Sequence, residues 1–260
     1  MCGGCGPRSG VIAGPDEFDS TVSRLAVPPY ADALNQPQKP YNIGYLREID
    51  HSAGIQSEIR ENIQKKIQQL KDSGYSVEAI DFPLMEYILP TYYILATAEA
   101  SANLSRFDGV RYGYRSKATV DLHSMYKKSR SEGFGKEVQR RILLGTFVLS
   151  ASYYDAYYTK AQKVRRIIRD KTKELLKEYD FILMPITPTT AFKLGEHTTN
   201  PLEMYLGDLF SVQANVVGVP AISVPCGKDS AGLPIGLQVI ADDFEEEKLL
   251  HFSNLLTHLN

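Results

Sequence analysis

Arg141 and Asp208 carry side chains with the chemistry to hold the two charged groups of a small amino acid. Arg141 shares a predicted helix with Leu144 and Val148, so its charge projects from a core-forming element and should pair or bind a ligand. Its planar guanidinium can donate two parallel hydrogen bonds to a carboxylate. Asp208 lies between a glycine and an apolar Leu-Phe pair, and its carboxylate could bind an α-ammonium group.

Each candidate also has a structural interpretation. Arg141 could be solvated or form an intrahelical salt bridge with Glu137, four residues earlier. Asp208 could be a helix cap or a turn residue. Tyr92 lies on a helix predicted to be buried, where its hydroxyl needs a partner and where most tyrosines belong to the core. The residue types alone leave these alternatives open.

The common catalytic and metal motifs do not occur in the sequence. It contains no GxSxG elbow, no HExxH and no Walker-type loop. Cys2 and Cys5 form a CxxC, but no second pair follows, and the 5 histidines are scattered singly. Because a zinc site needs four ligands, it would have to be assembled from distant residues. We therefore predict no metal site.

Size and composition predict a globular protein. The chain has 260 residues, 43% of them hydrophobic, which is ample for a substantial core. Its net charge of -2 gives no general attraction for nucleic acid. No apolar run approaches the roughly 18 to 20 residues that span a bilayer, and no signal region follows Met1. We expect a cytoplasmic protein without a membrane partner.

The elements that must position the candidate residues begin after an irregular N-terminal region. Residues 1–13 are predicted to be an irregular or non-native leader, and the Pro-rich residues 14–40 an extended connector. A strand at 42–46, a helix with Ile59, Ile63 and Ile67 on one face, and a strand at 77–82 follow. Gly74 should end this helix. Such a strand-helix-strand unit favours parallel pairing.

The rest of 41–260 is predicted to complete one α/β domain. Helices are expected at 91–105, 121–131 and 245–256, and strands at 181–184, 221–225 and 236–240, the last two forming a hairpin. Residues 136–179 should form one long helix, or two with a break near Asp170. Its predicted core stripe comprises Val138, Ile142, Leu143, Phe147, Leu149, Tyr153 and Tyr157. These elements predict a mixed β-sheet covered by helices.

A basic stretch follows that stripe. It contains Lys160, Lys163, Arg165, Arg166, Arg169, Lys171 and Lys173. Such a surface is either a solvated helix face or a contact for a partner or tRNA.

Several phrases of the sequence carry a family resemblance. They include Asp-Ser-Thr at 19–21, Tyr-Tyr-Ile at 92–94, Arg-Phe-Asp-Gly-Val-Arg-Tyr-Gly at 106–113, and the segments 141–149 and 208–225. The chain resembles the A subunits of glutamyl-tRNA(Gln) amidotransferases, in the amidase-signature family, from about Val11 to the C-terminus. The likeness covers about the distal half of those proteins. The phrase at 106–113 points to the tRNA-dependent enzymes rather than to amidases in general.

The resemblance implies roles for the candidate residues. Arg141 would hold the carboxylate and Asp208 the amino group of free glutamine, with Tyr92 lining the same pocket. In the family, a serine nucleophile, a bridging serine and a lysine base release ammonia from glutamine. The ammonia reaches the B subunit, which uses ATP and Mg to amidate glutamate on tRNA, and a small C subunit clasps the pair. No cofactor is implied for this chain.

The same resemblance implies that the catalytic residues lie elsewhere. The family's lysine and Gly-Gly-Ser-Ser segment precede the matched region, so the chain is expected to be truncated at its N-terminal side, without catalytic residues and inactive alone. Glutamine, the B and C subunits, and tRNA through the complex are its expected partners. Self-association through an exposed truncated face is also expected. The alternatives are a non-catalytic binding or assembly module, or a fragment of a general amidase.

Overall fold

A computed structural model describes residues 5–34, 40–51, 54–196 and 201–259. Cys2 of the CxxC, His197, which is one of the 5 histidines, and residues 35–39 of the predicted connector lie outside the described residues. Contacts divide the chain into two compact units, one formed by Met1–Met85 with Ile168–Asn260 and the other by Glu86–Ile167. The sequence predicts one α/β domain over 41–260 and places no boundary within it.

The first unit is built on a five-stranded sheet with the order β2-β1-β3-β5-β4. Its strands are β1 Asn42–Leu46, β2 Ser76–Ile80, β3 Phe181–Pro185, β4 Ala221–Lys228 and β5 Pro234–Ile240. β1 pairs in parallel with β2 and β3, whereas β5 pairs antiparallel with β3 and β4. The predicted α/β class with a mixed, helix-covered sheet is confirmed.

Two amphipathic helices of this unit follow their apolar spacing. Helix α4 (Ser57–Asp72) connects β1 to β2 and buries Ile59, Ile63 and Ile67, as predicted. Gly74 follows it with φ 88°, a left-handed conformation that favours glycine. Helix α11 (Glu246–His258) closes the chain and buries Leu249, Phe252 and Leu256, among others.

An aromatic cluster joins distant parts of the first unit. The rings of Phe181 and Phe252 are stacked with centroids 4.3 Å apart, and Tyr41 meets both edge-on at 4.9 and 5.6 Å. The Tyr41 hydroxyl lies 3.1 Å from Nδ1 of His251. Offset and edge-on rings add to the free energy of burial itself, so this cluster fixes the start of β1 against β3 and α11.

The N-terminal region departs from the prediction of irregular structure. The leader contains helix α1 (Cys5–Ile12). The predicted extended connector contains α2 (Tyr30–Ala33), directly after Pro29. Tyr30 and Leu34 form a buried cluster with Leu250, and this burial is the physical reason that residues 30–34 are not extended. The remaining helices of the unit are α3 Glu48–His51, α9 Pro201–Leu206 and α10 Val212–Val217.

The second unit is helical. Its helices are α5 Met85–Leu104, α6 Leu122–Gly133, α7 Lys136–Val148 and the π-helix Tyr154–Thr159, followed by the start of α8 Lys160–Glu178. Helix α5 runs through Pro90 without a break. Asp121 caps α6 by accepting from the Ser124 amide at 2.6 Å, and the Ser124 hydroxyl accepts from the Asp121 amide in return.

The region 136–179 corrects two predictions. The break falls after Val148, while Asp170 lies inside α8. Ser150 causes it, because its hydroxyl donates to the Phe147 carbonyl and its own carbonyl accepts from the Tyr153 and Tyr154 amides. The predicted core stripe is also wrong at several positions, which are exposed: Leu143 (71%), Phe147 (42%), Tyr153 (42%) and Tyr157 (41%).

Candidate functional site

Tyr92 lies on α5, seven residues after its start at Met85. Its side chain is half-buried, and its ring meets that of Tyr93 edge-on with centroids 5.3 Å apart. One turn further along α5, the Thr97 hydroxyl donates to the Tyr93 carbonyl at 2.6 Å. This hydrogen bond satisfies the buried hydroxyl of Thr97.

Arg141 lies on α7 and forms the intrahelical ion pair that the sequence offered as an alternative. Its Nε lies 3.1 Å from Oε1 of Glu137, and Arg140 pairs with the other oxygen of the same carboxylate. The Arg141 side chain is 39% exposed. An exposed pair of this kind contributes little to stability, so its main effect is to orient the guanidinium.

Gly145 fixes α7 against α5. A Cβ built at Gly145 would overlap with the carbonyl oxygen of Thr97 and lie 2.6 Å from Cβ of Ser101. The Ser101 hydroxyl lies 3.0 Å from that of Thr146. Only glycine permits this approach. Arg141 lies one turn before Gly145 on α7, and Tyr92 lies little more than one turn before Thr97 on α5, so one helix contact positions both candidates.

Asp208 lies between α9 and α10, in the turn formed by residues 207–211, hereafter the Asp208 turn. Its amide donates to the Tyr205 carbonyl at 3.1 Å, and its carbonyl accepts from the amides of Ser211 and Val212 at 3.1 and 3.3 Å. The side chain is half-buried. Asp208 is thus the turn residue that the sequence offered as an alternative, and the turn itself is closed by backbone hydrogen bonds.

The candidate residues are divided between the two units. Tyr92 and Arg141 belong to Glu86–Ile167, and Asp208 belongs to the other unit. That the three residues line one pocket remains a prediction.

The segment Arg106–Gly113 forms a tightly held loop in the second unit. Gly109 has φ 81°, and a Cβ there would lie 2.6 Å from the Ser129 hydroxyl. Ser129 also accepts from the Ser116 amide at 3.1 Å. Arg130 donates to the carbonyls of Leu104 and Phe107 at 2.7 and 3.1 Å. Sequence reasoning missed Ser129 and Arg130, because serine and arginine on a surface helix are ordinary.

Glu132 completes the support of this loop. It accepts from the hydroxyls of Tyr114 and Ser116 at 2.8 and 3.1 Å. These two hydrogen bonds, that from Tyr114 first, lower the pKa of the Glu132 carboxyl below its ordinary value. The charged form of Glu132 therefore binds Tyr114 and Ser116, which directly follow the loop 106–113.

Ion pairs account for part of the basic stretch on α8. Arg169 pairs with Asp243, Lys171 with Glu174, and Lys173 with both Asp242 and Asp243. The solvated-face interpretation therefore fits the distal part of this surface, because its cations are balanced by nearby carboxylates.

The described residues offer no metal site and no membrane span. No group of three or more His, Cys, Asp or Glu side chains among them could hold a metal ion. Cys226 is a free, buried thiol whose pKa is raised to about 11 by burial. Within the same described ranges, no helix has the length and apolar character needed to cross a bilayer.

Comparison with known proteins gives close relatives. The chain is 49% identical over 248 residues to the A subunit of glutamyl-tRNA(Gln) amidotransferase from Koribacter versatilis, a match that covers 95% of this chain and 52% of that protein. It is 50% identical over 236 residues to the protein of the same name from Oceanobacillus iheyensis, covering 91% of this chain and 48% of the relative. The chain thus spans about half the length of the curated relatives it matches.

Two solved structures share the fold of this chain. The crystal structure of the glutamyl-tRNA(Gln) amidotransferase A subunit from Thermotoga maritima superimposes with a TM-score of 0.68 and 38% identity, covering 92% of this chain and 46% of that chain. A 6-aminohexanoate cyclic dimer hydrolase shares the fold alone, with a TM-score of 0.75 and 18% identity over 98% of this chain and 52% of its own. The sequence profile of the Amidase family matches residues 9–250. On this evidence the chain belongs to the amidase family.

Proposed function

We propose that this chain is the glutamine-recognition half of the glutaminase subunit of a tRNA-dependent amidotransferase. The observation that carries the proposal is that proteins of this fold differ widely in their sequence identity to this chain. Relatives named as the A subunit of glutamyl-tRNA(Gln) amidotransferase are 49 to 50% identical, whereas the 6-aminohexanoate cyclic dimer hydrolase is 18% identical. This contrast favours the amidotransferase over a general amidase.

The proposed ligand is free glutamine, held at its α-carbon. Arg141 binds the carboxylate with charge-assisted hydrogen bonds, and Asp208 binds the ammonium group. Tyr92 lines the pocket between them. The side-chain amide would then be presented for hydrolysis, in which water adds across the C–N bond to give glutamate and ammonia.

The chain alone is proposed to bind glutamine without hydrolysing it. Acyl transfer in this family needs a serine nucleophile activated by a neighbouring base. The sequence contains no two adjacent serines, so the Gly-Gly-Ser-Ser segment of the family is not among its 260 residues. The nucleophile would come from the half of the relatives that this chain does not match.

The proposed partners follow from the same assignment. The B subunit would receive the ammonia and use ATP and Mg to activate glutamate on tRNA, the C subunit would clasp the pair, and tRNA would be met only through this complex. Until the other half is present, exposed apolar surface such as Leu143 and Phe147 on α7 favours self-association.

Calorimetry and complementation test the proposal. Isothermal titration of the purified chain should detect binding of L-glutamine and weaker binding of 4-aminobutanamide, which lacks the carboxylate. Ammonia release should be absent for the chain alone and should appear when it is co-expressed with the first half of the Koribacter versatilis relative. That half alone is the control. Glutamine binding without hydrolysis in the mixture would favour a non-catalytic module, and no preference for glutamine would refute the assigned ligand.

A further inference from the structure

Gln238 places a buried amide in the middle of an apolar strand. It lies on β5 between Met184 of β3 and Ser223 of β4, and it is only 3% exposed. An amide buried without hydrogen bonds costs free energy, so a glutamine at this position needs a partner. Its Nε2 donates to the carbonyl oxygen of Phe210 at 3.1 Å.

This hydrogen bond ties the central sheet to the Asp208 turn. Phe210 is two residues beyond Asp208 and is 1% exposed. A second buried tether follows directly, since Gln213 on α10 donates from Nε2 to the Thr172 hydroxyl of α8 at 3.1 Å. The backbone of the turn is therefore bound to β5, and helix α10, which follows the turn, is bound to α8.

We propose that Gln238 is a positioning residue that holds the Asp208 carboxylate in place for an α-ammonium group. The proposal rests on the function proposed above for Asp208. A charged hydrogen bond to a ligand ammonium depends on the direction of the carboxylate, which the backbone of the turn sets. Gln238 would thereby contribute to the preference for α-amino amides over amides that lack the amine.

The test compares two ligands and four proteins. L-Glutamine and 4-carbamoylbutanoate differ by the α-amino group alone. The dissociation constant of 4-carbamoylbutanoate divided by that of L-glutamine therefore measures recognition of that group. The proteins are wild type, Asp208→Asn, Gln238→Met and Leu237→Met. Methionine matches glutamine in length but cannot donate. The Leu237 variant places the same side chain one residue earlier on β5, on the opposite face of the sheet.

Wild type should prefer glutamine, and Asp208→Asn should lose that preference. Gln238→Met should reduce the ratio by about threefold to tenfold, the range expected for one net hydrogen bond. Its affinity for 4-carbamoylbutanoate should not change, which a general loss of structure would not allow. Leu237→Met should behave as wild type.

Hydrogen exchange of the free proteins provides a second measurement that needs no ligand. Amides of residues 208–212 should exchange faster in Gln238→Met than in Leu237→Met. If wild type and Asp208→Asn differ but Gln238→Met keeps both the ratio and slow exchange, the positioning role is refuted while the proposed function stands. If wild type does not distinguish the two ligands, the proposed function fails and the specificity role of Gln238 fails with it.

Discussion

Gly145 of α7 packs directly on the backbone of Thr97 in α5, closely enough that a side-chain carbon would overlap with the Thr97 carbonyl oxygen. The contact lies one turn from Arg141 and little more than one turn from Tyr92. It therefore connects the stability of the helical unit with the placement of two candidate ligand-binding residues.

Gly145→Ala should destabilise the second unit by about 1 to 3 kcal/mol, since the added methyl group must separate two backbones. Urea unfolding followed by circular dichroism measures the change. Gly10→Ala is the matched control, because a Cβ there meets nothing within 4 Å and alanine favours α1. Equal stability of the Gly145 variant and wild type would contradict this packing.

Arg141→Lys should weaken glutamine binding by roughly tenfold or more, because lysine keeps the charge but loses the paired donors of the guanidinium. Isothermal titration provides the measurement. Arg140→Lys is a close control, since Arg140 pairs with the same Glu137 carboxylate from the neighbouring position. An equal loss in both variants would mean that the helix surface, rather than Arg141, is responsible.

Stability should fall at alkaline pH in part through Cys226. Burial raises the pKa of its thiol to about 11, so the unfolded chain loses this proton first and stability is lost as pH rises from about 9 towards 11. Burial raises the pKa of the Tyr41 hydroxyl as well, in the same direction. Cys226→Val should therefore reduce the loss between about pH 8 and pH 10.5 by roughly 1 to 2 kcal/mol without abolishing it. Parallel urea titrations at the two pH values would detect an unchanged loss, which would contradict the prediction.

The isolated chain should self-associate through the outer face of α7. Leu143 is 71% exposed, and the exposed ring of Phe147 lies 4.3 Å from that of Tyr153. Leu143→Glu should shift the chain towards monomer in light scattering across a wide concentration range, and Lys136→Glu on the same helix should not. A wild-type chain that is monomeric at every concentration would exclude this contact.

The sheet was predictable because its strands carry strong local signals. Phe181–Pro185 is a continuous apolar run, and the isoleucines of α4 repeat at helical spacing. The order of the five strands does not follow from such signals, since pairing depends on contacts between distant segments. The error over 136–179 has a different cause, because Ser150 ends the helix through a local hydrogen bond and no proline marks the break.

The candidate site was only partly accessible from the sequence. The chemistry of Arg141 and Asp208 could be read from residue type, but their alternatives, an ion pair with Glu137 and a position in a turn, are both present in the structure. Gln238 did leave a signal, a single amide within the apolar strand Pro-Ile-Gly-Leu-Gln-Val-Ile. Its partner, the Phe210 carbonyl, is visible only in three dimensions.

The ring cluster of Tyr41, Phe181 and Phe252 also determines when the first unit can be completed during translation. Tyr41 meets His251 across 210 residues of sequence, and at about 5 to 20 residues per second a ribosome needs roughly 10 to 40 s to synthesise the intervening chain. Throughout that interval Tyr41, directly before β1, lacks its partners His251 and Phe252 on α11. The residues Glu86–Ile167, by contrast, are contiguous and can fold as soon as they emerge. The contacts of Tyr41 with α11 therefore form only after α11 has been synthesised.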